Sequence, residues 1–190
     1  MTTAENASRP PSSPGFTFRR VTDADIAMLH QWISRPHVAA WWDSPVTLDD
    51  VADEYGEATC DPKVRPFIAH LGGEPVGFIQ VYGVLGAGDG WWPDETDPGA
   101  RGIDQFLADG TRLDRGLGTA MVRAFVAQIF ADPAVTRVQV DPQPSNARAI
   151  RCYEKAGFRR LGEIRTPDGA ALLMVCERAD WPGPADQLCR

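Results

Sequence analysis

No apolar run in this chain approaches the roughly 20 residues of a bilayer-crossing helix, and the N-terminus has no apolar stretch of the secretory-signal kind. Cysteine is scarce. Cys60, Cys152, Cys176 and Cys189 show no metal-type spacing, so no metal site is expected, and the thiols read as reduced, in a cytoplasmic protein. Positive charge is also in short supply: 19 Lys and Arg stand against 26 Asp and Glu, a net charge of −7. That balance argues against non-specific nucleic-acid binding and against anionic membranes, and it favours a cationic partner. No internal repeat, heptad or exposed edge is evident, so a monomer is preferred over a homodimer. What remains, 190 residues at 43% hydrophobic content, is enough for one domain with a sizeable core.

Residues 1–15 are rich in Ser, Thr, Pro and Ala and are expected to form a disordered tail. Residues 16–178 are expected to form the single domain and 179–190 a loose C-terminal tail. Phe16–Val21 alternates as a first strand, and Thr22 and Asp23 offer caps to a helix carrying Ile26, Leu29 and Ile33. A short helix after Pro36 leads to Trp41-Trp42, and a third starts at Thr47 and runs to about Thr59. Pro66–Leu71 and Pro75–Tyr82 form a hairpin around Gly72-Gly73. The stretch 86–99 is a long loop, a feature that tends to be functional. Ile103–Ala108 is a strand, Gly116–Ala131 a helix and Thr136–Asp141 a strand. A helix then follows Ser145-Asn146 and ends at Gly157, and Phe158–Arg165 and Ala170–Glu177 pair around Thr166-Pro167-Asp168-Gly169.

Leu113-Asp114-Arg115-Gly116-Leu117-Gly118-Thr119 opens the helix of residues 116–131. A glycine-rich turn at a helix start aims free backbone N–H groups at one point, where the helix dipole adds positive potential, so an anion such as a phosphate fits there. The same glycines also suit a plain tight turn. Arg112 and Arg115 add charge beside it.

The element order, with this turn and with Asn146-Ala147-Arg148-Ala149-Ile150-Arg151-Cys152-Tyr153-Glu154-Lys155-Ala156-Gly157-Phe158, resembles the GNAT N-acetyltransferases. Within them the chain is most similar to the aminoglycoside 6′-N-acetyltransferases of type I. That likeness rests on His37 through Trp42, Gly88–Trp92, Glu95–Gly99, Arg101–Gln105 and Asp141-Pro142. The resemblance implies an α/β (α+β) fold with a mixed central sheet of about seven strands and helices on both faces. It also implies acetyl-CoA as cosubstrate. Leu113 departs from the family's turn, which begins with Arg or Gln at that place; the pyrophosphate is held mostly by backbone N–H groups, so acetyl-CoA binding is expected to survive. By resemblance the acetyl-CoA site takes in Gln105, Phe106, Leu107, Arg112, Leu113, Arg115, Gly116, Leu117, Gly118, Thr119, Asn146 and Tyr153.

Acetyl transfer to an amine needs a neutral nitrogen, yet an alkyl ammonium with pKa near 10 is only about a thousandth neutral at pH 7. A carboxylate must therefore take its proton. Asp104, on the strand leading to the glycine turn, is the candidate base; the alternative is a solvated aspartate near a sheet edge. Tyr153 is the candidate acid for the departing thiolate, although it also falls on the apolar helix face with Ile150 and Ala156. The acidic loop and its surroundings supply Asp89, Glu95, Asp104 and Asp141 for a polycationic substrate, with Trp42, Trp91 and Trp92 as flat walls for sugar rings and cation–π contact. Asp94 and Asp97 read instead as residues of a solvated loop whose two tryptophans plug the core. The expected function is 6′-N-acetylation of an aminoglycoside by direct attack in a ternary complex, which confers resistance. The alternatives are acetylation of another amine (a siderophore precursor, a polyamine or a protein N-terminus) and a non-catalytic acyl-CoA- or drug-binding module.

Overall fold

A computed structural model describes residues 15–42, 47–57, 61, 63–87, 91–181 and 183. The expected disordered N-terminal tail therefore lies outside the described residues, apart from Gly15. Strands β1 (Phe16–Arg20), β2 (Val64–Leu71), β3 (Glu74–Gly83), β4 (Ala100–Leu107), β5 (Arg137–Val140), β6 (Arg159–Thr166) and β7 (Gly169–Glu177) form one sheet in the order β1-β2-β3-β4-β5-β7-β6. All neighbours are antiparallel except β4 and β5. Helices α1 (Ile26–Ile33), α2 (Pro36–Ala39) and α3 (Leu48–Tyr55) accompany α4 (Leu117–Ile129) and α5 (Ala147–Ala156). The mixed sheet of seven strands with helices on both faces matches the expectation from sequence.

Two cores explain the layering. On one face, Met121, Val122, Phe125, Val126 and Ile129 of α4 fall at helical spacing, and most of that stripe packs with Ile150 and Tyr153 of α5 over Ile79, Val81, Ile103, Val138 and Val140 of the sheet. On the other, Leu29, Trp32, Ile33, Val51 and Tyr55 of α1 and α3 cover Ile68, Phe78 and Phe106, with the Phe78 and Phe106 rings stacked 5.2 Å apart. The strands between them are buried on both faces, which explains their near-continuous apolar runs.

Local chemistry sets the helix ends. At α5, Asn146 is the N-cap, its Oδ1 accepting from Ala149 N at 3.1 Å, and Gly157 leaves the helix at φ 106°. Helix α3 ends at Tyr55, four residues before the expected limit, and residues 58–60 lie outside the described residues. Strand β4 begins at Ala100 rather than Ile103, because Arg101 and Gly102 find partners on both sides, in β3 and in β5. Tertiary pairing outweighs the weak strand propensity of glycine here. Where the expected domain meets the expected C-terminal tail, residues 178–180 form a 3-10 turn, and within that tail Trp181 packs on Phe130 with ring centroids 5.9 Å apart. The Arg178 guanidinium donates to the carbonyls of Phe130, Asp132 and Val135, capping the end of α4. Chain 184–190 lies outside the described residues.

Thr22 caps the turn before α1, but Asp25, not Asp23, is the carboxylate that reaches back. Asp25 Oδ2 accepts from Thr22 N and Thr22 Oγ1 at 2.9 Å each, and its two oxygens take a bidentate pair from Arg19 at 2.7 and 2.8 Å. The Arg19 hydrogen bonds hold this carboxyl below the usual carboxylate range against the cost of burial. Asp25→Ala is expected to lower stability by about 2 kcal/mol. The depressed carboxyl stabilises the fold fully above the unfolded value near pH 4 and loses that contribution as pH falls through the folded value. Urea melts of wild type and variant at pH 7 and pH 3 check this; the gap between them should shrink at pH 3.

Candidate active site

The parallel β4–β5 ladder runs for only three residue pairs, Ala100↔Arg137 to Gly102↔Gln139. Beyond Gly102, β4 continues to Leu107 while β5 stops at Val140, so the strands part. The residues just past the split, Ile103–Leu107 on one side and Val140–Gln143 on the other, line a cavity of about 600 Å³.

The α4 turn opens onto this cavity. Gly116 is the helix N-cap at φ 81°, a left-handed conformation that favours glycine, and Asp114 stands at φ 58°. No side chain among the described residues caps α4, so its first-turn N–H groups stay open to a ligand. Helix α5 lies alongside: Thr119 Oγ1 donates to Cys152 Sγ at 3.6 Å, and a Cβ at Gly118 would sit 3.4 Å from that sulfur. On α5, Arg148, Arg151 and Lys155 recur at helical spacing and line the same cavity. Such a strip of cations beside an open helix N-terminus suits phosphates.

Carboxylates gather elsewhere in the same cavity. Asp104 lies on the fourth strand of seven, so it is no edge residue. Gln80 Nε2 donates to its Oδ2 at 2.9 Å. Burial pushes Asp104 up to about 6, eased by the Gln80 hydrogen bond and reinforced by the charge of Glu54. Asp141, just past β5, is pushed up to about 7, first by burial and then by the charges of Asp104 and Asp168. Glu54 on α3 is raised by burial and shares a hydrogen bond with Tyr55, which takes another from Trp42 Nε1 at 3.2 Å. Glu54, Asp104, Asp141 and Asp168 thus line one cavity, with Glu54 repelling Asp104 and both Asp104 and Asp168 repelling Asp141, an arrangement that a polycation would relieve.

Tyr153 bridges the two regions. Its body is core, 6% exposed and 5.4 Å from the Phe158 ring, and it also lines the cavity. Burial holds its hydroxyl well above the usual phenol range, with Gln105 supplying an opposing hydrogen bond. Tyr82 of β3 lies near Asp104, Asp141 and Tyr153. It packs where Gly102 has no side chain: a Cβ there would come within 2.3 Å of the Tyr82 ring. Aromatic walls come from Trp41, Trp42, Trp91 and Trp92. Trp42 stands edge-on to Phe78 and Phe106 at 5.7 and 5.0 Å, so it belongs as much to the core as to the cavity. His37 Nε2 lies 2.9 Å from the Leu107 carbonyl; a carbonyl only accepts, so Nε2 carries the proton.

Most residues singled out from sequence therefore come together: Trp42, Trp91, Asp104, Gln105, Phe106, Leu107, Leu113, Gly116, Gly118, Thr119, Asp141, Asn146 and Tyr153 all line the cavity. Arg112, Arg115 and Leu117 do not; Leu117 packs with Met121 and Leu107 instead. Glu95 is placed elsewhere. Its carboxylate is bound by Arg137 at 2.6 Å and accepts from the N–H groups of Thr96 and Asp97, so it anchors the loop to β5 rather than facing a ligand. Asp97 does likewise, accepting from Thr136 Oγ1 at 2.5 Å and Gly99 N at 2.7 Å. Asp89 lies outside the described residues. Sequence reasoning missed Glu54, Gln80, Tyr82 and the α5 cations; Asp168 reads from sequence first as a turn residue, and the resemblance brings its hairpin near the cleft, where Thr166 and Asp168 do line the cavity. Among the described residues there is no cluster suited to a metal ion, and no helix is long and apolar enough to cross a membrane.

A family model for the acetyltransferase (GNAT) domain matches residues 21–166. Aminoglycoside N(6′)-acetyltransferase type 1 of Klebsiella pneumoniae is 52% identical over 171 residues, 88% of this chain and 85% of that protein. Aminoglycoside acetyltransferase AAC(6′)-Ib, solved with coenzyme A and kanamycin, superposes with a TM-score of 0.84 at 53% identity, covering 87% of this chain and 96% of that one. AAC(6′)-Ib with paromomycin and acetyl-CoA gives the same TM-score at 52% identity, covering 87% and 95%. With the family model covering most of the chain and a relative of 52% identity over 88% of it, these likenesses place the chain: it belongs to the GNAT acetyltransferase family.

Proposed function

We propose that this chain transfers the acetyl group of acetyl-CoA to the 6′-amine of an aminoglycoside, by direct attack within a ternary complex, and so inactivates the drug. The observation that carries the reading is the cavity itself. A cluster of four carboxylates walled by tryptophans suits a polycationic sugar, and it shares one space with an open helix N-terminus that suits a pyrophosphate. Relatives that share about half the sequence bind these two kinds of ligand.

In this reading the first-turn N–H groups of α4 hold the pyrophosphate, and Arg148, Arg151 and Lys155 hold further phosphate charge. Glu54, Asp141 and Asp168 attract the substrate's ammonium groups. Asp104 takes a proton from the 6′-ammonium, and the neutral nitrogen attacks the thioester carbonyl carbon. As the tetrahedral intermediate collapses, the C–S bond breaks and Tyr153 gives its proton to the thiolate. The second proton that the nitrogen sheds on becoming an amide restores the phenol. The balance is one ammonium and one thioester in, with one amide, one thiol and one proton out.

The test is CoA thiol release from acetyl-CoA with kanamycin, amikacin, spermidine, hydroxylysine and a peptide. Turnover restricted to drugs with a free 6′-amine is the expected result. Turnover on another amine alone would replace the substrate class. Ligand binding without thiol release would leave a binding module in place of an enzyme.

A further inference from the structure

Gln80 on β3 stands directly opposite Asp104 on β4 in the antiparallel register, and its amide nitrogen holds Asp104 Oδ2 at 2.9 Å. The other end of the same amide is odd. Its carbonyl oxygen is buried and has no hydrogen-bond partner among the described residues. An orphaned acceptor of that kind destabilises the fold, because it gives up its water without gaining a partner. An apolar side chain of equal length would fill the place without that cost, so the amide is accounted for by its nitrogen, which among the described residues donates to Asp104.

We propose that Gln80 is a positioning residue for acetyl transfer: by holding Oδ2 of Asp104 it fixes the carboxylate plane and leaves Oδ1 as the oxygen that meets the incoming amine. This inference rests on the reading of Asp104 as the base. The groups facing Asp104 give the amide its second task. Glu54 and Tyr55 approach from α3, Tyr82 from β3, Asp141 from beyond β5 and Tyr153 from α5. Glu54 and Asp141 repel a charge on Asp104, and burial penalises it. The Gln80 N–H opposes them, because a donor to the carboxylate favours the ionised form. Without it the carboxyl would be both free to rotate and harder to ionise.

The test is Gln80→Met, which keeps the length and volume and removes the donor. The kcat with kanamycin should fall roughly tenfold, and the acidic limb of kcat/KM should move up by about one pH unit. KM for acetyl-CoA and the melting temperature should stay close to wild type. A merely structural role would lower the melting temperature and leave the acidic limb in place, which would overturn the proposal. If Gln80→Met folds poorly, Gln80→Asn takes its place, since it keeps an amide too short to reach Oδ2 and predicts the same shift. A readout independent of the substrate is the carboxyl carbon titration of Asp104 by NMR, with the resonance assigned by its loss in Asp104→Asn. Its midpoint should rise in either Gln80 variant even if no aminoglycoside is acetylated, in which case the substrate reading fails and the pairing stands. A wild type active on kanamycin, with an unmoved midpoint in the variant, sinks the pairing and leaves the substrate reading intact.

Discussion

Asp104→Asn is expected to lower kcat for aminoglycoside acetylation roughly 10²–10⁴-fold at pH 7, about 3–5 kcal/mol of transition-state stabilisation, while acetyl-CoA binds as before. The asparagine carbonyl can still accept from Gln80, so the strand pairing and fold stay. What is lost is the site for the amine's proton, and about 99.9% of an alkyl amine carries that proton at neutral pH. The pH profile gives a second, independent signature. With Asp104 near 6 and Asp141 near 7, wild-type kcat/KM should fall as pH drops from about 7 towards 6, because protonated carboxyls neither take the amine's proton nor attract a polycation. Removing the charge at 104 relieves Asp141 of a repelling neighbour, so the acidic limb of the residual activity should move to lower pH. Steady-state kinetics between pH 5 and 9, with acetyl-CoA affinity measured by calorimetry, decide the matter. If Asp104→Asn stays within threefold of wild type and Asp141→Asn takes the loss instead, the base is Asp141.

The parts of this site that were legible in the sequence are those whose chemistry is local. The glycine turn, the Asn146 cap and the Gly157 exit each depend on residues within one helical turn, so spacing alone reveals them. The resemblance then assigns Asp104 and Tyr153, and the fold brings both to the cavity. The parts that were illegible are meetings across long sequence separations. Gln80 reaches Asp104 through a strand register that joins residues 24 apart. Glu54 approaches from a helix on the opposite face of the sheet from α4 and α5. Its alternation with apolar Val51 and Tyr55 marks it only as a polar position on an amphipathic helix. Glu95 fails in the other direction. In sequence its nearby counter-charge is Arg101, yet the fold supplies Arg137, 42 residues away, and turns a candidate ligand contact into an anchor. Asp168 is a turn residue, as its Pro-Asp-Gly setting indicates, but the β6–β7 hairpin carries that turn to the cavity. Charge clusters in sequence therefore overstate the binding surface at one place and understate it at another, because pairing partners come from the topology.

Tyr153→Phe should reduce kcat roughly 10²-fold with little change in melting temperature and in KM for either substrate. The substitution is nearly isosteric. The ring keeps its contact with Phe158 and its place among Ile150 and Ala156, so the packing that a core residue supplies survives. The hydroxyl alone is removed. Burial keeps that hydroxyl protonated well above the ordinary phenol range, which gives an acid that still holds its proton at every pH where the fold is intact. No basic limb below about pH 10 is then expected from it in wild type. Loss of the acid leaves water to protonate the thiolate, so the solvent isotope effect on kcat should change between wild type and variant. A variant with wild-type kcat would reduce Tyr153 to a packing residue, and a collapse of the melting temperature would mean that the hydroxyl serves the fold. The expected pattern, slow turnover on an intact and fully ligand-competent scaffold, is one that only a hydroxyl acting on the reacting atoms produces.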